Sequence, residues 1–127
     1  MAFCVGPASA ASDSDILAMY RWKARLLVVV APSEGDRRAA EQRRIFQKVR
    51  QASRDRDLIL VERTGSTPDA VSLRRRFGAA AGDFRAVLVG KDGGDKIASS
   101  EPIDAQRLFA EIDTMPMRRD EQRQRGR

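Results

Sequence analysis

The chain has 127 residues, the length of a single domain, and 42% of them are apolar, which is typical of a globular protein. It carries 24 lysines and arginines against 18 acids, a net charge of +6, but it has no histidine and a single cysteine, Cys4. This composition excludes an internal disulfide, a CxxC pair and histidine-based catalysis, and we expect neither a metal nor another cofactor.

The first fifteen residues read as a leader or as a truncated signal peptide. Ala8, Ser9 and Ala10 fit the small-x-small pattern of a cleavage site, although the apolar stretch is short and no basic n-region precedes it. Two interpretations stay open. A signal peptide with its true start upstream predicts a periplasmic or secreted protein, and a plain leader at the stated start predicts a cytoplasmic one.

The first helix and the first strand follow this leader. Ser12 and Asp13 are typical of a helix start, which predicts a helix over residues 12–24. The run Leu26–Ala31 is continuously apolar and rich in valine, the pattern of a strand that is buried on both faces of a sheet.

The next unit is a helix followed by a second strand. Pro32 ends the first strand, and Ser33 and Asp36 stand at the spacing of a capping box, which predicts a helix from Ser33 to about residue 53. The second buried strand is predicted at Asp57–Glu62. A β-helix-β unit of this length implies parallel pairing of its two strands.

A third helix and a third strand come next. Thr67-Pro68-Asp69 is a strong helix start, and Gly78 marks the end of that helix. We interpret the run Arg74-Arg75-Arg76 as a solvated helix face. The stretch Phe84–Val89 predicts the third strand.

The last elements are a hairpin, a helix and a tail. Residues 91–94 have hairpin-turn chemistry, Asp95–Ser99 returns as an antiparallel edge strand, and Asp104 caps a helix that runs through Asp113. Residues 118–127 hold five arginines against two acids, or +3, and no aromatic side chain for base stacking. We expect a basic flexible tail over 117–127, no nucleic-acid partner and no membrane span.

The order β-α-β-α-β-β-α is that of the thioredoxin fold, so we predict an α/β, thioredoxin-like domain over residues 16–116, with a central mixed sheet and flanking helices. The first two strands should form the central parallel pair, and the third should add antiparallel to the first. Thioredoxins carry CxxC at the start of the helix after the first strand, and Glu34–Arg37 occupy that position here. The position of the thioredoxin cis-proline falls at Phe84 or Arg85. Both elements of disulfide exchange are therefore missing.

Several stretches resemble a bacterial family, the domain of unknown function numbered 4174. They are Tyr20–Lys23, Leu27–Ser33, Arg76–Gly78, Val87–Gly94, Ile112–Asp113 and Met115–Arg119. The resemblance covers about residues 16–120. It implies a thioredoxin-like fold, a periplasmic or secreted location, and a relation to the domain of equarin and of sushi-repeat extracellular proteins. It implies no catalytic residue.

Two function classes follow from these patterns. The first is a non-redox binding module of the cell envelope, and the second is a degenerate peroxiredoxin-like or thioredoxin-like oxidoreductase. For a binding module, we predict an anion or ligand site made by Ser33, Gly35, Asp36, Arg37 and Arg85. Free N–H groups at a helix start and arginine side chains favour an acidic protein or a small anionic ligand. Alternatively, Ser33 and Asp36 only cap the helix and the arginines are solvated.

Overall fold

The structure, a computed structural model, describes residues 12–125, and its side chains from residue 16 onward. The elements in chain order are α1 (Ser12–Tyr20), β1 (Arg25–Ala31), α2 (Arg37–Lys48), α3 (Arg50–Asp55), β2 (Leu58–Thr64), α4 (Pro68–Phe77), β3 (Arg85–Val89), β4 (Asp95–Ser99), α5 (Ala105–Asp113) and α6 (Pro116–Arg125). Cys4 and the proposed cleavage site lie outside the described residues.

The four strands form one mixed sheet in the order β2-β1-β3-β4. β1 runs parallel to β2 and antiparallel to β3, and β4 pairs antiparallel with β3. The predicted strand directions are confirmed, and the architecture is compatible with an α/β thioredoxin-like fold. The prediction that β2 lies at the centre is wrong: β1 and β3 are central, and β2 is an edge strand.

The core lies on both faces of β1, because successive side chains of a strand point to opposite sides of the sheet. Leu27 and Val29 belong to the cluster on one face, which also contains Leu108 and Ile112 of α5. Val28 belongs to the cluster on the other face, which α1 and α4 cover. Every residue of β1 is buried, which explains the continuous apolar sequence of Leu26–Ala31.

The predicted helix over residues 33–53 is shorter and broken. α2 begins at Arg37, and Val49, with φ −120°, separates it from α3. The polar face of α2 includes one buried side chain, Gln42, which is 0% exposed. Its amide nitrogen donates to the Ile103 carbonyl at 2.9 Å, and its amide oxygen accepts from the Ile103 N–H at 2.7 Å. Gln42 therefore attaches the segment before α5 to α2.

Arg74 departs from the predicted solvated face of α4. Arg75 and Arg76 are exposed, but Arg74 is 6% exposed. Its guanidinium donates to the carbonyls of Ala31 at 3.0 Å and Gly65 at 2.6 Å. These two bonds, made where β1 and β2 end, offset the cost of burying the guanidinium.

The expectation of a flexible tail from residue 117 is wrong for residues 117–125, which belong to α6. Arg118 is 3% exposed and donates to the Asp55 carboxylate at 2.9 Å and to the Asp113 carboxylate at 3.3 Å. Carboxylates on the body of the domain pair with Arg118 and Arg125 of α6, an arrangement that composition alone does not reveal.

Candidate functional site

The first helix after β1 begins at Arg37, and its N-cap is Asp36. The Asp36 carboxylate accepts from the Arg38 N–H at 2.9 Å and from the Ala39 N–H at 3.2 Å. Ser33 contributes only its carbonyl, which accepts from the Asp36 N–H at 3.2 Å. The helix start predicted at Ser33 is therefore corrected to Arg37, because a carboxylate can satisfy two of the free N–H groups of the first turn.

Asp36 is also paired with a guanidinium. Arg38 donates to its two carboxylate oxygens at 3.2 Å and 2.9 Å. The hydrogen bond from the Arg38 side chain has the largest effect and lowers the pKa of Asp36. Burial opposes this effect, and the N–H groups of Ala39 and Arg38 lower the pKa further. Asp36 is thus ionised near neutral pH, and any other anion would compete with it for the start of α2.

Arg85 lies beside the end of β1, as the predicted site requires. It is paired with Val30 across the sheet. Its guanidinium lies 3.7 Å from the Asp83 carboxylate and 3.5 Å from the Gly78 carbonyl. The Arg38 guanidinium lies 5.5 Å from the ring centre of Phe84, the buried residue before Arg85. The end of the sheet where β1 finishes therefore has two arginines, each beside a carboxylate: Arg38 beside Asp36 and Arg85 beside Asp83.

The other predicted site residues lie at the surface of the same edge. Ser33, Gly35 and Arg37 are exposed, and Asp36 is partly exposed. The anion site that these residues make with Arg85 stays a prediction. Residues 12–125 contain no cluster of three histidine, cysteine, aspartate or glutamate side chains that could hold a metal ion. None of their helices has the length and apolar character needed to cross a membrane.

A buried charge cluster at the opposite end of β1 was missed by the sequence analysis. It consists of Arg25, Lys91 and Glu121, and we refer to it as the Glu121 cluster. The Glu121 carboxylate accepts from Arg25 at 3.2 Å and 3.4 Å and from Lys91 at 2.6 Å. Arg25 is 0% exposed and Lys91 is 8% exposed. Arg25 also donates to the Arg56 carbonyl at 2.8 Å, and Lys91 to the Asp57 carboxylate at 2.9 Å.

The Glu121 cluster joins segments that are far apart in sequence. Lys91 follows β3, Arg25 begins β1, and Glu121 lies on α6. Arg25 also donates to the Met115 sulfur at 3.4 Å. Because Arg25 and Lys91 both donate to the Glu121 carboxylate, the cluster attaches α6 to the sheet. The only sequence signal was a charged residue, Arg25, next to an apolar strand.

Residues 16–121, most of the chain, match the family described as Domain of unknown function (DUF4174). The match ends at Glu121 and therefore includes the part of α6 from Pro116 to Glu121. No curated protein and no solved structure matches the chain.

Proposed function

We propose that this chain, which belongs to the DUF4174 family, is a binding module of the cell envelope that performs no thiol chemistry. The observation that carries the proposal is the cap of α2. A free helix N-terminus stabilises a reactive thiolate. Here the N–H groups of Arg38 and Ala39 already donate to Asp36. The fold then serves as a scaffold for binding.

The alternative is a degenerate peroxiredoxin-like or thioredoxin-like oxidoreductase. The only thiol available to it is Cys4, which lies outside the described residues. No contact among residues 12–125 favours this alternative, because the helix start that would activate a nucleophile carries the carboxylate of Asp36 instead.

The test is a pair of redox assays, insulin reduction and peroxide consumption, on the wild type and on Cys4→Ser. We expect both proteins to show the turnover of buffer alone, because thiol exchange needs a thiolate. A thioredoxin with an intact CxxC serves as the positive control. Thiol-dependent turnover by the wild type that is lost in Cys4→Ser would refute the proposed function.

We further propose that the protein is exported to the periplasm or the medium. The small-x-small pattern at Ala8–Ala10 and the family resemblance support this location. Fractionation of the native host, with the gene expressed together with its upstream region, should find the protein outside the cytosol. Full-length protein in the cytosolic fraction would contradict export.

A further inference from the structure

A groove of about 520 Å³ runs along the first half of the edge strand β2. We refer to it as the β2 groove. Its apolar lining is Ala24, Phe46, Leu58, Ile59 and Leu60, and its charged lining is Lys23, Arg50, Arg54 and Asp57. The three cations are exposed, whereas Asp57 is engaged by Lys91. Among residues 16–125, whose side chains the structure describes, no carboxylate forms an ion pair with Lys23, Arg50 or Arg54.

The backbone of β2 is open toward this groove. The Arg25 N–H donates to the Asp57 carbonyl, and the Gly65 N–H donates to the Ala31 carbonyl. In a parallel pair the backbone hydrogen bonds are evenly spaced and involve every second residue. Since Asp57 and Gly65 bond to β1, the odd-numbered residues of β2 form the hydrogen bonds with β1. The even-numbered residues, among them Leu58 and Leu60, then direct their N–H and C=O groups away from the sheet. β2 is the last strand on this side.

The second half of the same edge is protected. The Glu62 carbonyl accepts from the Arg63 side chain at 2.9 Å, and the Glu62 carboxylate pairs with Arg43. Charged side chains on an edge strand are a common device against unwanted strand pairing. Leu58–Leu60 has no such charge. The first half of the edge, where the β2 groove lies, therefore lacks the charged side chains that protect the second half.

We propose that Leu58–Leu60 binds an extended segment of a partner protein by strand addition, and that this segment alternates acidic and apolar residues. The open N–H and C=O groups supply the backbone pairing, the apolar lining takes one set of side chains, and Arg50, Arg54 and Lys23 attract the acids. The inference rests on the proposed function as a binding module, and it names the surface and the partner class.

Two other occupants fit this surface poorly. Residues 1–11 of the chain contain no acidic side chain, so they offer no match for the basic rim. A second copy paired through the same edge would bring its own Arg50 and Arg54 against those of the first, and like charges that face each other across a strand pair are unfavourable.

The experiment is an NMR titration of the full chain with a short capped peptide that alternates glutamate and valine. We expect amide shifts at Leu58–Leu60 and at Arg50 and Arg54. The double variant Arg50→Glu with Arg54→Glu should weaken binding by about tenfold or more. Its matched control is Arg75→Glu, an exposed arginine on α4, which should leave the affinity within about twofold.

Two further peptides separate strand addition from simple charge attraction. A peptide with lysine in place of glutamate should not bind. A glutamate peptide that is N-methylated at alternate amides should lose binding, because it cannot pair with Leu58 and Leu60. Equal binding of the methylated peptide would overturn the inference.

Other results of the titration, and the oligomeric state of the protein, also test the strand-addition proposal. Shifts confined to residues 33–37 and Arg85, or no shift at millimolar peptide, would overturn the inference and leave the proposed function standing. Dimerisation in sedimentation that is lost in the Arg50→Glu and Arg54→Glu variant would assign the edge to a second copy and overturn it as well. Only thiol-dependent turnover would refute the proposed function itself.

Discussion

Glu121→Ala is expected to lower the free energy of unfolding by about 3 kcal/mol. The substitution leaves Arg25, which is 0% exposed, and Lys91 without the carboxylate that lies between them. Removing one partner of a buried ion pair costs more than the pair contributes, because Arg25 then stays buried without a carboxylate and Lys91 keeps only that of Asp57. Urea unfolding followed by circular dichroism measures the effect.

The matched control is Asp120→Ala on the neighbouring position of α6. Asp120 is exposed, and in the described part of the chain its ion-pair partner is Arg123 on the same helix. We expect this variant to lose less than about 0.5 kcal/mol, as is usual for an exposed pair. If Glu121→Ala loses as little as Asp120→Ala, the Glu121 cluster does not attach α6 to the domain.

The stability that the Glu121 carboxylate contributes should depend on pH. Burial opposes the ionisation of Glu121, but hydrogen bonds from Lys91 and Arg25 outweigh it and hold its pKa below the usual 4.5. A carboxyl whose pKa is lower in the folded than in the unfolded state stabilises the fold above its usual pKa. This stabilisation disappears as the pH falls below 4.5 through the lowered pKa. Glu121→Gln should therefore show a shallower loss of stability with acid than the wild type.

The position of β1 and the order of the strands along the chain could be predicted from the sequence, since Leu26–Ala31 is a continuous apolar run of the kind expected for a strand buried on both faces. The edge position of β2 could not be predicted from the sequence, because the first half of β2 is as apolar as a central strand. Only the pairing of β3 with β1 shows that β2 is left at the edge.

Buried polar side chains were the main source of error. Gln42 and Arg74 lie on polar helix faces, which are usually exposed to solvent. Both side chains instead form hydrogen bonds with backbone groups far away in the sequence. Arg118 and Glu121 lie in an arginine-rich segment, and their carboxylate and cation partners belong to other elements. A helical pattern does not reveal such partners, because they depend on how the elements pack together.

The placement of some residues at the candidate site could be predicted, whereas the site itself stays a prediction. The position of Arg85 beside the end of β1 follows from strand order, and the register with Val30 confirms it. The cap at Asp36 was predicted as one half of a capping box with Ser33. The pairing of Asp36 with Arg38 was missed, because it depends on the geometry of the turn that precedes α2.

Amide hydrogen exchange along β2 is the most direct test of the central claim that the edge strand of this domain is open. The Val61 N–H belongs to the odd-numbered residues of β2, which form hydrogen bonds with β1. The Leu60 N–H belongs to the even-numbered residues and points away from β1, toward the β2 groove. Exchange at Leu60 should be about a hundredfold faster than at Val61, because only the bonded amide needs an opening of the sheet. Equal, strong protection of both amides would contradict the account, since it would mean that another segment or a second copy already covers this edge.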